Sequence, residues 1–374
     1  MERSTGFVDA HSHLRSTPLA EHGVAGSCLE EAILRMNAMT AVDIEDDTFV
    51  ATSELLLAGV TGVQFIFHTF GPPEFYLETL DRALSGIARS GIRAQVILGI
   101  TDQFEFLPEN PKTKIDLPEF VGTGKRISPE EFIEIHRSAT NKYPHLPLGV
   151  GPVGPQWCSD SMMMAVQEIA EGGVRVHTHC LESSRQRDWI SEPLVERLNR
   201  FGLLGDRTSL AHAIWLTDDE LELVKATGTH LVTCPSSNRY LKAGVADTAK
   251  WISQGISFGV GLDSLSGREL PLATAKLSLS ESDAVVALTT GGMEAAGIDT
   301  SHDSVTWQDW QESRAQEVLV DGQQLVREGR HAKQAELDEA IERISAKMAS
   351  DKAAREIRQG TLTQIMERYL QSIS

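Results

Sequence analysis

Cysteine is scarce in this chain. Four occur in 374 residues, at 28, 158, 180 and 234, far apart and with no Cys-x-x-Cys pair. Thiols so scattered are expected to be reduced and buried, as in a cytoplasmic enzyme. Basic residues are outnumbered: 34 Lys and Arg face 53 Asp and Glu, for a net charge of −19. Phosphate binding needs concentrated Lys and Arg, so no nucleic-acid partner and no anionic-membrane partner is expected. No run approaches the roughly 18 to 20 apolar residues of a membrane span. Residues 1–5 lead straight into the first strand-like run, so no signal peptide is expected either. Charged residues (23%) and apolar residues (41%) sit near globular averages, and the length supports one large α/β domain or two smaller ones.

Strand-like and helix-like stretches alternate over the first 270 residues. Gly6-Phe7-Val8-Asp9-Ala10-His11-Ser12-His13 reads as a buried strand ending in two histidines spaced i, i+2. Side chains alternate faces along a strand, so both imidazoles point the same way just past its C-terminal end. Two converging neutral imidazoles are half of a metal site, although a lone His-x-His also arises from packing or surface coincidence. Further strands are predicted at 59–68, 93–101, 147–154, 174–181, 208–216, 230–234 and 257–262. Helices are predicted at 46–57, 73–89, 159–169 and 245–254 and in the stretch up to residue 200. Ser128-Pro129-Glu130-Glu131 and Thr217-Asp218-Asp219-Glu220 start two more with capping boxes. Residues 102–126 have little periodicity and read as a long loop, either a functional cover or disordered.

Eight strand-helix units at roughly 30-residue spacing predict a (β/α)8 barrel of the TIM type rather than an open sheet. The expected organisation is a barrel over 1–312, a short β-hairpin at 313–330 with an Asp321-Gly322 turn, and a helical segment at 331–374 packed on the barrel. Active sites in such barrels gather at the strands' C-terminal ends. Ionisable side chains recur there: His177 and His179 close the fifth strand with Glu182 three residues on, His212 lies on the sixth, and Asp263 ends the eighth. With His11 and His13 they make five histidines and two carboxylates, costly to bury without a function.

These residues, in this order and spacing, resemble the metal-dependent amidohydrolase superfamily. The resemblance is strongest to the branch of cytosine and guanine deaminases, triazine hydrolases and S-adenosylhomocysteine deaminases. It covers about residues 6–265. Its anchors are Val8-Asp9-Ala10-His11-Ser12-His13, Val176-His177-Thr178-His179-Cys180-Leu181-Glu182, Leu210-Ala211-His212, Cys234-Pro235-Ser236-Ser237-Asn238 and Gly261-Leu262-Asp263-Ser264, with Gly151–Ser159 as the fourth-strand segment. The resemblance implies that His11, His13, His179 and Asp263 hold one divalent metal ion, zinc first and iron second. It also implies Glu182 as the proton-handling carboxylate and His212 beside the attacking water; the chemistry of the set makes Asp263 the third candidate catalytic residue, as acceptor of the water's proton. The cation would generate hydroxide from bound water near neutral pH. His177 lies about 6 to 7 Å deeper along its strand than His179 and reads as a supporting or core residue. Two-metal members use a carboxylated lysine on the fourth strand; 147–154 has none, so one metal is expected.

Two departures bear on substrate and architecture. Many deaminases of this branch carry histidine in the fourth-strand segment where this chain has Val153, with Gln156 and Trp157 in the neighbourhood of the aromatic that often follows. Gln156, Trp157 and His68 are therefore candidate substrate-binding residues, although Trp157 reads equally as core and His68 as a structural histidine. Arg15 reads as an anion ligand or a surface ion-pair partner. The small β-sandwich usual in relatives is expected to be absent or reduced to the 313–330 hairpin. That would leave a barrel flank for the C-terminal helices or a second subunit, hence an expected homo-oligomer. The function implied is an aminohydrolase (deaminase) acting on a carbon–nitrogen bond of a small heterocyclic or amidine substrate. The alternatives are a cyclic amide hydrolase or triazine-type hydrolase with another leaving group, and a non-catalytic metal-binding barrel.

Overall fold

The computed structural model describes residues 2–69, 71–105, 115–122, 127–264, 270–309 and 314–372. The expected 312/313 domain boundary and much of the 102–126 loop lie outside them. A short strand, β1 (Glu2–Ser4), precedes eight parallel strands: β2 (Phe7–Ser12), β3 (Val60–Phe67), β4 (Arg93–Ile100), β5 (Leu148–Pro152), β6 (Val176–Cys180), β7 (Thr208–His212), β8 (His230–Thr233) and β9 (Phe258–Val260). They pair in sequence order, and a parallel bridge between Ser12 and Asp263 brings the last strand back to the first. This is the (β/α)8 barrel. Its strands are buried on both faces, which is why they read as near-continuous apolar runs.

Helices α1 (Leu29–Met36), α2 (Ile44–Leu57), α3 (Pro73–Ser90), α4 (Pro129–Lys142), α5 (Asp160–Ala170), α6 (Leu194–Arg200), α7 (Asp218–Thr227), α8 (Pro235–Tyr240) and α9 (Thr248–Gln254) fill the connections. Both expected capping boxes form: Ser128 and Thr217 accept from the backbone N–H of Glu131 and Glu220, whose carboxylates reach back. Beyond β9 come α10 (Pro271–Ala275), α11 (Glu281–Leu288) and α12 (Thr290–Ala296), which the sequence reading had not resolved. No helix among the described residues is long and apolar enough to cross a membrane.

The hairpin forms as β11 (Glu317–Val320) and β12 (Gln323–Arg327), with Asp321 and Gly322 both at positive φ, the geometry an Asp-Gly turn supplies. It is not isolated. β1, β10 (Ser304–Trp307), β11, β12 and β13 (Arg330–His331) make a five-stranded antiparallel sheet, so more of a second sheet survives than the hairpin alone. Trp307 packs on Phe7 with ring centroids 5.5 Å apart, and a Cβ at Gly59 would meet the same indole. The sheet therefore seals the strands' N-terminal side. Helices α13 (Gln334–Ser350) and α14 (Lys352–Ser372) follow; Arg343 of α13 pairs with Asp46 of α2. The flank whose exposure motivated a homo-oligomer is thus covered by the chain itself. Leu362, Met366 and Tyr369 of α14 pack with Leu34 of α1, Ala38 and Val121, which ties the C-terminus to the mouth of the barrel.

Candidate active site

The closing bridge does more than complete the sheet. The Asp263 N–H donates to the His11 carbonyl at 2.8 Å, and the His13 N–H donates to the Asp263 carbonyl at 3.1 Å. The same pairing delivers a carboxylate to the two histidines: Asp263 Oδ1 lies 3.6 Å from His11 Nε2 and 3.5 Å from His13 Nε2. Asp9 sits beneath this closure, its Oδ1 accepting from the backbone N–H groups of His11 (3.2 Å) and Leu262 (2.9 Å). Burial, with the Asp263 charge adding to it, pushes the Asp9 carboxyl up to about 8.

From β6, His179 brings its Nε2 to 3.1 Å from that of His13. Its Nδ1–H donates to the Val153 carbonyl at 2.6 Å, which fixes the tautomer and leaves the Nε2 lone pair toward the cluster. Ligand atoms of His11, His13 and His179 all lie within 4.8 Å of one another, as do those of Glu182, His212 and Asp263. The buried Nε2 atoms of His11 and His212 have no hydrogen-bond partner among the described residues. Three imidazole nitrogens and a carboxylate converge here, with buried polar atoms unsatisfied by protein. That donor set fits a divalent cation.

Backbone strain collects at the same rim. Leu14, Leu181, His212 and Asp263 all have φ between 50° and 67°. Non-glycine residues there cost about 1–3 kcal/mol each and persist only where their surroundings over-determine them. At Leu181 the turn sends the chain from His179 back so that Glu182 faces His212, with Oε2 3.6 Å from Nε2. His212 Nδ1–H donates to Asn238 Oδ1 at 2.8 Å. Burial pushes Glu182 up to about 7, with His212 opposing and the charges of Asp263 and Glu30 assisting. Burial also drives His13 and His179 well below their ordinary value, against the pull of Asp263 on both. Asp263 resists its own burial: the His11 contact and the neighbouring imidazoles hold it well below the usual carboxylate range, and Ser237 Oγ donates to Oδ2.

Above the cluster opens a cavity of about 320 Å³. One wall is apolar (Leu29, Ile33, Met36, Trp157, Leu241), while Arg15, His68 and Glu105 supply polar groups. A larger cleft of about 800 Å³ lies between α2, α3 and α13 and is lined by none of the clustered residues; there Arg82 pairs with Asp43 and Arg343 with Asp46.

The structure brings together His11, His13, His179, Glu182, His212 and Asp263, and it places His68 and Trp157 on the cavity wall. Gln156 does not line that cavity; it is fully buried, because the turn after β5 carries only its neighbour to the surface of the pocket. Arg15 is no surface ion-pair partner. It lines the cavity and donates to Ser264 Oγ at 2.9 Å. Three participants went unremarked in the sequence: the Val153 carbonyl, Asn238 as the anchor of His212, and Glu105. A backbone carbonyl carries no sequence signal, whereas Asn238 lies in a motif already singled out.

A profile for the amidohydrolase family matches residues 4–306. A 5'-deoxyadenosine deaminase of Methanosarcina mazei is 26% identical over 267 residues, covering 69% of this chain and 56% of that protein. A 5-methylthioadenosine/S-adenosylhomocysteine deaminase of Thermococcus sibiricus is 28% identical over 271 residues, covering 70% and 58%. The chain thus spans a little over half the length of these curated relatives. Among solved structures, zinc-complexed atrazine chlorohydrolase TrzN of Arthrobacter aurescens TC1 superposes with a TM-score of 0.73 at 18% identity, covering 92% of this chain and 88% of that one. E. coli guanine deaminase superposes at 0.67 and 18% identity, covering 87% and 83%. At such identities the likeness is one of fold.

Proposed function

The chain belongs to the amidohydrolase family, and from that premise we propose that it is a metal-dependent aminohydrolase releasing ammonia from a nucleoside-like nitrogen heterocycle. The observation that carries this reading is the meeting of residues from four strands at one end of the barrel. His11, His13, His179 and Asp263 would hold a single divalent cation. Zinc is the first choice, since the nitrogen-rich set suits it, and iron the second.

A cation held there would supply Lewis-acid activation of water, making a nucleophile available near neutral pH. Asp263, its Oδ2 already held by Ser237, accepts the proton that the water gives up. His212, oriented through Nδ1 by Asn238, turns Nε2 toward the reacting carbon and steadies charge developing there. Glu182, pushed up to about 7 by burial, hands a proton to the ring nitrogen next to that carbon. Water adds to the amidine-like carbon, the proton taken up by Asp263 passes to the exocyclic nitrogen, and the exocyclic C–N bond breaks to release ammonia as the carbonyl forms and its hydroxyl proton returns to Glu182. Trp157 and the α1 side chains offer an apolar wall for a flat ring, with His68, Glu105 and Arg15 around its edge.

The deaminase names of the relatives support ammonia as the leaving group and adenosine-like compounds as the first substrates to try. The test is ion analysis of purified protein together with an ammonia-release screen over purine nucleosides, pyrimidines, pterins and triazines. Glu182→Gln should keep the cation and lose turnover by about 10²- to 10⁴-fold. Full turnover in that variant removes the role given to Glu182. A screen silent for ammonia but positive for ring opening or another leaving group replaces the deaminase reading.

A further inference from the structure

Below the ion-side cluster the barrel interior holds a second, fully buried set of polar side chains. His177 lies two residues before His179 on β6, sharing its face, and is wholly inaccessible to solvent. Its Nε2 is 2.7 Å from Nδ1 of His11, the ring nitrogen opposite the one that faces Asp263. Its Nδ1 is 2.8 Å from Ser209 Oγ on β7 and 3.0 Å from Gln64 Nε2 on β3. The Gln64 amide nitrogen also reaches the Ala10 carbonyl at 2.7 Å and Ser209 Oγ at 3.1 Å. Four strands are linked by one chain of hydrogen bonds that ends on His11.

The protons in this chain are not free to sit anywhere. For His11 to offer a lone pair at Nε2, its proton must be on Nδ1, donated to His177 Nε2. His177 must then be bare at Nε2 and protonated at Nδ1, donating to Ser209 Oγ. Gln64 fits this arrangement, because one amide hydrogen goes to Ala10 and the other to Ser209. A doubly protonated His177 does not fit, since it would donate to His11 Nδ1 and force His11's proton onto Nε2. The opposite tautomers also satisfy the chain: Gln64 or Ser209 donates to His177 Nδ1, His177 Nε2–H donates to His11, and His11 Nε2 is blocked. The two histidines thus have two self-consistent proton arrangements, and only one leaves His11 able to ligate.

We infer that His177, held by Ser209 and Gln64, is a positioning residue that sets the tautomer of His11 and thereby how tightly the site holds its cation. The inference rests on the reading of His11 as a ligand. It extends to this chain the general rule that a ligating imidazole is fixed through its other nitrogen, with a buried histidine here in the place of a carboxylate or carbonyl.

The test measures zinc affinity of the full chain by competition with a chromophoric chelator, alongside the visible spectrum of the cobalt(II)-loaded protein. His177→Leu offers His11 Nδ1 no acceptor and should weaken zinc binding by about 10- to 100-fold, with a shifted cobalt spectrum. His177→Gln, whose Oε1 can accept from His11 Nδ1–H, should recover most of that loss, which a merely structural role would not produce. Ser209→Ala removes the outer acceptor with one atom deleted. It should weaken zinc binding in the same direction, and it carries the test should His177→Leu fail to fold. Unchanged zinc affinity in folded His177→Leu, or in Ser209→Ala if the former does not fold, overturns the inference. A separate control, His11→Ala, addresses the underlying reading: if it binds zinc as tightly as the wild type, His11 is not a ligand and the failure lies there.

Discussion

Asn238 accepts a hydrogen bond from Nδ1 of His212 at 2.8 Å, and in doing so decides which face of that imidazole the barrel mouth sees. Nε2, buried and without a hydrogen-bond partner among the described residues, is left 3.6 Å from the Glu182 carboxylate. Asn238 stands in the first turn of α8, immediately beyond β8, so the anchor comes from the strand next to that of His212. Asn238→Ala should cost about 10- to 100-fold in kcat/KM while cation content, measured by atomic emission, stays at the wild-type value. Loss of the cation would instead make Asn238 part of the ion's support.

The C-terminal helix reaches the cavity at one remove. Leu362 of α14 is fully buried against Leu34 of α1, and α1 supplies Leu29, Ile33 and Met36 to the cavity wall. Tyr369 OH adds a hydrogen bond to the Glu30 carbonyl at 2.9 Å. Leu362→Ala should lower stability by about 2–5 kcal/mol in chemical denaturation. Because the hole opens behind the substrate wall and not beside Glu182, KM should rise more than kcat falls. A kcat loss with KM unchanged would detach α14 from the cavity.

Much of this was legible in the sequence for a reason particular to parallel barrels. Each strand is buried on both faces, so 59–68 or 93–101 stands out as an apolar run, and the residue that breaks the run falls at the catalytic end. His179, His212 and Asp263 mark strand ends in just this way. Less legible was whatever depends on partners distant in the chain. β1 and β10 are three and four residues long and pair across some 300 positions, which no local periodicity announces. The depth of Arg15 was misjudged because a charged residue two positions past a strand usually faces solvent. Here Ser264, distant in the chain but brought to the same rim by the closing strand, gives it a partner inside. Gln156 and Trp157 are adjacent, and only the turn geometry decides which of them reaches the cavity.

His22 makes stability fall on the acid side. It is buried beneath α14, with Nδ1 accepting from the Thr40 N–H at 3.3 Å and its carbonyl accepting from Gln359 Nε2 at 3.1 Å. Burial, aided by the charges of Arg15 and Arg355, lowers it from 6.5 to about 4. A folded-state pKa below the unfolded one means that the unfolded chain binds the proton first. Its contribution is therefore complete above pH 6.5 and is lost as pH falls from there toward 4. His22→Gln, which keeps an acceptor but cannot charge, should show a smaller drop in Tm between pH 7 and pH 5 than the wild type. Equal drops would mean that His22 is solvated in the native state.

Glu105 runs the other way. It follows β4 at the rim, 8% exposed, with Oε1 buried and without a hydrogen-bond partner among the described residues, and His68 Nε2 at 3.7 Å stands beyond hydrogen-bond reach. Burial raises its carboxyl from 4.5 to about 8, with Arg15 opposing. His68 gives no compensating charge, because burial, and then Arg15, lowers it to about 4. The folded state holds this proton longer than the unfolded one, so any stability linked to it is complete below pH 4.5 and declines as pH climbs through 8. Glu105→Gln has no such titration. Its Tm should fall below or match that of the wild type at pH 5 and gain on it steadily up to pH 8.5, with the difference measured in the same buffers by calorimetry. The carboxyl that burdens the protein at high pH is also a hydrogen-bond acceptor facing the cavity above the cluster. Glu105→Leu, which has no acceptor to offer, should therefore show a raised KM with little change in kcat, and an unchanged KM would remove Glu105 from substrate contact.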